Sequence, residues 1–181
     1  MSGDYMYYDA NKKLIQVRRN VTLEDPQMIL TTDFLDYDGL FDIGYYFNWG
    51  QLKDSQNTLD SKKGNYFTQT KIALFKDSVK VNSPEYLIFS DTLKYNTETK
   101  LVSILGPTNG KGDENNTLYS EDGWYDSNLG HAELYKNNRV THQSYEGVAD
   151  TMVIDSITGM AYLYWNVTLV DTVNNVIVKG E

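Results

Sequence analysis

The phrase NVTLED at residues 20–25 returns as NVTLVD at residues 166–171, a displacement of 146 positions. Self-similarity at a fixed spacing constrains a fold more than any local propensity, because it means that one small unit is built several times and stacked. Aligning DYMYYD, DFLDYD, KGNYF, DTLKYN, DGWYD and DTMVID brings Tyr8, Tyr37, Tyr66, Tyr95, Tyr125 and Ile154 into one column, with steps of 29, 29, 29, 30 and 29. A second column two residues earlier holds Met6, Leu35, Gly64, Leu93, Gly123 and Met152. Residues two apart share a strand face, so each pair points the same way in every copy. A third column, 13 and 15 residues after the first, holds Val21 and Leu23, Gly50 and Leu52, Val79 and Val81, and Val167 and Leu169. The two NVTL phrases sit at one phase of this repeat, five periods apart.

A unit of this length has room for two strands and two turns. Fifteen Tyr among 181 residues, with short alternating apolar runs separated by Asn, Asp, Gly and Lys, point the same way. The expected fold is all-β: an elongated stack of about six two-stranded units forming two facing antiparallel sheets, one domain over residues 1–181. Unit boundaries fall near 1–29, 30–58, 59–87, 88–117, 118–146 and 147–181. One strand per unit in each sheet predicts a body on the order of 25–30 Å along the stacking axis. The turns DANKK, NTETK and DSITG follow the Tyr column at one phase and are rich in residues that form Asx turns. From Gly39 to Lys63 the alternation is less clean, and GPTNGKGDENNT at Gly106–Thr117 reads as a long polar loop.

The inward face predicted from the columns comprises Met6, Tyr8, Leu35, Tyr37, Tyr66, Leu93, Tyr95, Tyr125, Met152 and Ile154, facing Val21, Leu23, Val79, Val81, Val167 and Leu169. Such a surface suits either an acyl-chain slot or a dry sandwich core. Gly64 and Gly123 among large residues either leave room for a ligand or mark bulges. Lys12, Lys13, Arg18 and Arg19 are candidates for contact with lipid phosphates at one mouth of the groove, against the alternative of a solvated charged face.

Other chemistry has little support. A net charge of -9 disfavours a general nucleic-acid or anionic-membrane binder, and no apolar run approaches a membrane span. Without Cys there are no disulfides or thiolate metal sites. His131 and His142 are the only histidines, and DYDG at Asp36–Gly39 lacks the later ligands of a calcium loop. No nucleophile elbow or phosphate loop is present, so neither a catalytic residue nor a cofactor is expected. The sequons at Asn20, Asn115 and Asn166 read as turn residues.

The D-x-[LM]-x-Y-[DN] phrase, N-V-T-L-x-D, IGYYFNWG, LDSKKG, LGPT and DGWYDS resemble the OstA-like proteins of Bacteroidetes-type bacteria over nearly the whole chain. That family is related to the periplasmic lipopolysaccharide-transport proteins of the LptA and LptC type and to the N-terminal domain of LptD. The resemblance implies an open β-jellyroll (OstA/LptA-like) whose apolar groove carries lipopolysaccharide acyl chains across the periplasm without catalysis, with possible outer-membrane association. It also implies edge-strand pairing with other such modules, including a possible head-to-tail oligomer. MSGDYMYYDANKK has no apolar signal region, which departs from the family's precursor form, as a trimmed mature chain would. Two other readings stand beside it. One is a closed scaffold that assembles partners through its edges. The other is a carbohydrate-active β-solenoid using Trp124 and surface Tyr rings as sugar platforms.

Overall fold

Asn and Asp tolerate left-handed backbone better than other side-chain-bearing residues, and this chain places them where its strands must bend. Arg19 and Asn20 have φ of 58° and 49°, Asn48 and Trp49 68° and 73°, Asp77 and Ser78 62° and 58°, Asn137 53°, and Trp165 and Asn166 58° and 51°. Asn20, Trp49 and Ser78 are 29 apart, as are Asn137 and Asn166. In the first three pairs the strand register also breaks, which is the signature of a bulge that turns the strand.

The computed structural model describes residues 1–25, 28–84, 86–113 and 116–180. Six long strands, β2 (Leu14–Asp25), β3 (Met28–Asp38), β4 (Ile43–Lys53), β5 (Thr58–Phe67), β6 (Ile72–Asn82) and β7 (Leu87–Asn96), follow a short β1 (Tyr5–Asp9). Beyond β7 each pass of the chain is split at its bend. The pieces are β8 (Leu101–Ile104) and β9 (Thr108–Lys111), β10 (Thr117–Ser120) and β11 (Asp122–Asp126), and β12 (His131–Lys136) and β13 (Asn138–His142). They continue as β14 (Tyr145–Ala149) and β15 (Thr151–Asp155), β16 (Met160–Tyr164) and β17 (Val167–Asp171), and end with β18 (Val176–Gly180). All pairings are antiparallel between successive passes, so one meander is folded along the line of bends.

The first wall contains β1, the first halves of β2, β4 and β6, the second halves of β3, β5 and β7, and then β8, β11, β12, β15 and β16. The remaining halves with β9, β10, β13, β14, β17 and β18 form the second wall. The architecture is an open β-jellyroll. Its length departs from the expected 25–30 Å, because every pass between β1 and β18 crosses both walls, so that two passes per repeat add two strands to each. Twelve strands per wall among the described residues give about 50 Å at a spacing of about 4.8 Å.

A column of hydroxyls supports the bends. Ser61, Ser90 and Ser120 each reach the carbonyl two residues on, at 3.0, 3.3 and 2.8 Å, and Thr32, at the same place in the column, donates across to Trp49 O at 2.7 Å. The three serines are buried, so their hydroxyls find partners within the protein rather than in water. Ala149 follows in this column without a hydroxyl; there the buried Asn138 amide donates to Asp150 O at 2.8 Å, and its Oδ1 lies 2.8 Å from Ser120 Oγ, an alternative acceptor for that hydroxyl.

The far rim of the first wall repeats just as strictly. Lys13, Asp42, Lys71, Lys100, Gly130 and Gly159 close its turns with φ between 51° and 70°. Asp9, Asp38, Asn96, Asp126 and Asp155 each accept two backbone amides of their own turn. Thr68, Thr97, Ser127 and Ser156 then donate both amide and hydroxyl to the left-handed residue's carbonyl in the preceding unit. The turns are thus chained to one another.

Gly106–Thr117 is not the long loop expected from its polarity. Thr108–Lys111 is strand β9 and Thr117 opens β10. Its inward positions are Thr108 and Gly110, so the apolar alternation that signals a strand is missing. Glu114 and Asn115 lie outside the described residues.

The two glycines resolve differently. A Cβ on Gly64 would lie 2.2 Å from Tyr46 Cε1, and one on Gly50 2.5 Å from Tyr46 Cε2. The space that Gly64 leaves is filled by the chain's own Tyr46 ring, whose hydroxyl shares a 2.5 Å hydrogen bond with Ser61 Oγ. Gly123 marks a bulge: its φ is 151°, the register shifts beside it, and a Cβ would meet Glu133 O at 2.4 Å. Gly64→Ala should therefore cost about 1–3 kcal/mol by overpacking. In a Tyr46→Leu background the same change should cost less than about 0.5 kcal/mol, a coupling that urea unfolding of the four proteins will measure.

Candidate functional site

Cross-strand register puts the Tyr column and the Val/Leu column on facing inner surfaces, and three clusters knit them together. Val17, Leu35 and Tyr46 of the first wall pack on Val21 and Leu30 of the second. Phe75, Leu93, Tyr66 and Tyr95 pack with Val79, Val81, Leu52 and Leu59. Leu134, Met152 and Ile154 pack with Leu118, Val140 and Val167. Short of the terminal strand residues, the inward positions carry no Asp, Glu, Lys or Arg.

Burial divides these residues by distance from the bend. Val21, Leu35, Val79, Leu93 and Met152, next to the bend, are buried, Met152 completely. Two residues further out, Tyr37, Tyr66, Val81, Tyr95, Ile154 and Leu169 are half-buried, and so are Tyr125 and Val167. Leu23 is 37% exposed. The space between the walls is thus a cleft with a dry apex and a solvent-facing mouth. Met6 and Tyr8, on the end strand β1 opposite Val17 and Ile15, are 60% and 58% exposed.

Polar groups appear at the mouth only as tips. Tyr37 OH donates to Asp42 Oδ1 at 2.8 Å, and that bond raises the phenol's pKa and lowers the carboxyl's. Lys100 Nζ stands 5.9 Å from the Tyr95 ring centroid. At the apex, burial pushes the Tyr46 phenol up to about 12. Tyr46 was invisible to the column argument because it lies on the other strand of its unit, and a glycine pair within reach of one Tyr is its only sequence trace.

The four cations do not form one cluster. Lys12 pairs with Asp9 at 3.8 Å, and Lys13 holds the left-handed turn position at the first wall's rim. Arg18 and Arg19 stand at the bend, at the other end of the strand. Arg18 is on the outer face, ion-paired with Asp36, to which Gln16 also donates at 3.0 Å, and its guanidinium lies over Phe34 and Phe47. Arg19 lies over the Tyr5 ring at 5.4 Å.

His131 sits beside Trp124 and 3.6 Å from Glu133, while His142 ends β13 in the other wall. Among the described residues no group of three or more His, Cys, Asp or Glu is placed to hold a metal. Asp36 faces outward and Asp38 caps a turn, so DYDG is not a cation loop. Trp124 is on the outer face, donating to Tyr135 OH at 2.7 Å. Asn20 and Asn166 are bend residues whose amides reach Asp4 and Asp150 at 3.0 and 2.7 Å, which accounts for the Asn of both NVTL phrases. Asn115 lies outside the described residues.

The model of the OstA-like protein family matches residues 1–92. No curated protein matches the chain. Among solved structures, the chain is similar to LptH, described as the LptA homologous periplasmic component of the conserved lipopolysaccharide transport device from Pseudomonas aeruginosa. The likeness covers 56% of this chain and 77% of that one at 15% identity, with a TM-score of 0.49.

The raised Tyr46 pKa has a stability consequence. A proton held more tightly in the folded state stabilises it fully below the unfolded pKa, near 10, and that contribution is lost as pH rises through about 12. Between these limits the wild type should lose on the order of 2 kcal/mol more stability than Tyr46→Phe. Urea unfolding of both proteins across this range is the measurement.

Proposed function

This chain belongs to the OstA-like protein family, and we propose that it carries the acyl chains of lipopolysaccharide, or of a related glycolipid, in the cleft between its walls. The observation that supports this reading is the graded burial. An uncharged strip, Tyr37, Tyr66, Tyr95 and Tyr125 opposite Leu23, Val81 and Leu169, remains partly open to solvent along the length of a cleft whose apex is dry. Each methylene buried there contributes about 0.8 kcal/mol, so one acyl chain gains several kcal/mol while its sugars and phosphates stay in water at the mouth. Phenol hydroxyls along the mouth suit the change from acyl chain to polar head.

The apex residues Val21, Leu35, Val79, Leu93 and Met152 serve as the core that holds the walls, and the lipid contacts fall to the outer row. Of the cations, Lys12 and Lys13 are placed at the rim where a head group would lie. On this reading residues 1–181 act as one carrier body of six repeat units in the periplasm, bound to its cargo non-covalently and without catalysis. Neighbouring modules would join through β1, β16 and β18, each of which is paired on one side only among the described residues. The closed scaffold is the competing reading, and the complete burial of the apex is the observation in its favour.

Photocrosslinking in cells separates the two. With a benzophenone side chain at Tyr95 or Val81, lipopolysaccharide adducts are expected; at Lys94, on the outer face, and at Leu93, in the dry apex, they are not. Folded, exported protein that yields no adduct from Tyr95 or Val81 would make the scaffold reading the better one.

A further inference from the structure

We propose that the outer side of the second wall carries a separate binding site, a trough for an acidic oligosaccharide. Two cavities of about 820 and 620 Å³ open there beneath the bends and share Asn109 in their lining. Register makes them continuous. Lys80 is opposite Phe89, Phe89 opposite Asn109, Asn109 opposite Tyr119, and Tyr119 opposite Arg139, so these side chains form one row across five adjacent strands. A trough that runs across strands takes a linear ligand.

The lining combines three kinds of group. Trp49 and Phe89 are 49% and 41% exposed, and Tyr119 is held in the same row by donating to Glu121 Oε1 at 2.8 Å. Such rings offer apolar faces to the C–H faces of sugars. The Asn109 and Asn137 amides supply donors and acceptors for hydroxyls. The charges are unequally engaged. Glu121 is paired with Lys136 at 3.0 Å, Asp150 accepts from Asn166 at 2.7 Å, and Asp60, opposite Lys80 on the same face, accepts from Gln51 at 2.9 Å. Lys80, Lys111 and Arg139 have no ion-pair partner among the described residues. The carboxylates of the lining already hold partners while Lys80, Lys111 and Arg139 have none among the described residues, so the charges left to meet a ligand are cationic and select an anionic one.

A peptide fits less well, because every strand under the trough is paired on both sides and offers no edge for strand addition. The trough borders the bends, whereas the cleft opens at the rims on the opposite face of the same wall. A glycolipid held in the cleft therefore does not place its own sugars here. The ligand is either a free acidic polysaccharide or the saccharide of a second glycolipid molecule, and the proposal does not depend on what occupies the cleft.

The test is calorimetric titration of the full chain with hexagalacturonate, with fully deacylated lipopolysaccharide saccharide, and with neutral maltohexaose. At least one acidic saccharide should bind saturably, at least tenfold tighter than maltohexaose and more weakly as salt rises. Lys111→Gln/Arg139→Gln should lower that affinity at least tenfold, and Tyr119→Ser or Trp49→Ala about fivefold. Since these side chains are on the surface, thermal melting and the Tyr95 crosslink yield should be unchanged, with Lys80→Gln as a further variant if one of them fails to fold. The tighter of the two acidic ligands identifies the source. Absence of saturable binding by either, equal affinity for the neutral hexamer, or indifference to the charge substitutions would overturn the proposal.

Discussion

The hydrogen bond from a buried hydroxyl to a bulge carbonyl is the interaction on which the architecture rests. A strand that bends sharply interrupts its ladder, and backbone groups at the dry apex of two apposed walls must find partners within the protein. Ser61, Ser90 and Ser120 bond the carbonyl two residues on and Thr32 the carbonyl of Trp49 on the next strand, each with a single small polar side chain, and left-handed residues such as Asn20, Asn48 and Asp77 supply the turn on the partner strand. With the bends stacked in register, each pass serves both walls, and a chain of this size gains a cleft about 50 Å long.

Much of this was legible in the sequence, and the part that was not has definite causes. The Tyr and Val/Leu columns predicted facing apolar surfaces because side chains two apart must share a face, and the Asx turns predicted the rim. The column arithmetic could not reveal that each strand crosses both walls, since a hairpin of straight strands and a hairpin of bent ones have the same period. The hydroxyl column of Ser61, Ser90 and Ser120 was present at the same spacing, yet small polar residues carry no periodic hydrophobic signal. Gly64 and Gly123 looked alike in one column, but one is shaped by a ring from the next strand and the other by its own backbone. Strand β9 was hidden because its inner positions are Thr108 and Gly110.

Charge is sorted by face. The inward surface excludes ionised groups, so its chemistry is that of a hydrocarbon with phenol tips. Cations such as Arg18, Lys80, Lys111 and Arg139 stand on the outer surfaces, Arg18 engaged by Asp36 and the other three without an ion-pair partner among the described residues. One folded sheet thereby presents two different solvents to its ligands. That is possible because alternation along a strand lets neighbouring residues answer to opposite faces.

The chained turns of the first wall's rim give the molecule a directional stiffness. Each of Thr68, Thr97, Ser127 and Ser156 ties its turn to the one before by two bonds, so the rim resists stretching along the stack as a bound book resists lengthening of its page edges. Among the described residues no such hydrogen-bonded tie joins the two rims, where Lys100 of one attracts Asp54 of the other only electrostatically. The angle between the covers is therefore the soft coordinate: the cleft can widen for a bulky occupant by flexing along the row of bends, with every strand pair intact and the length of the body unchanged.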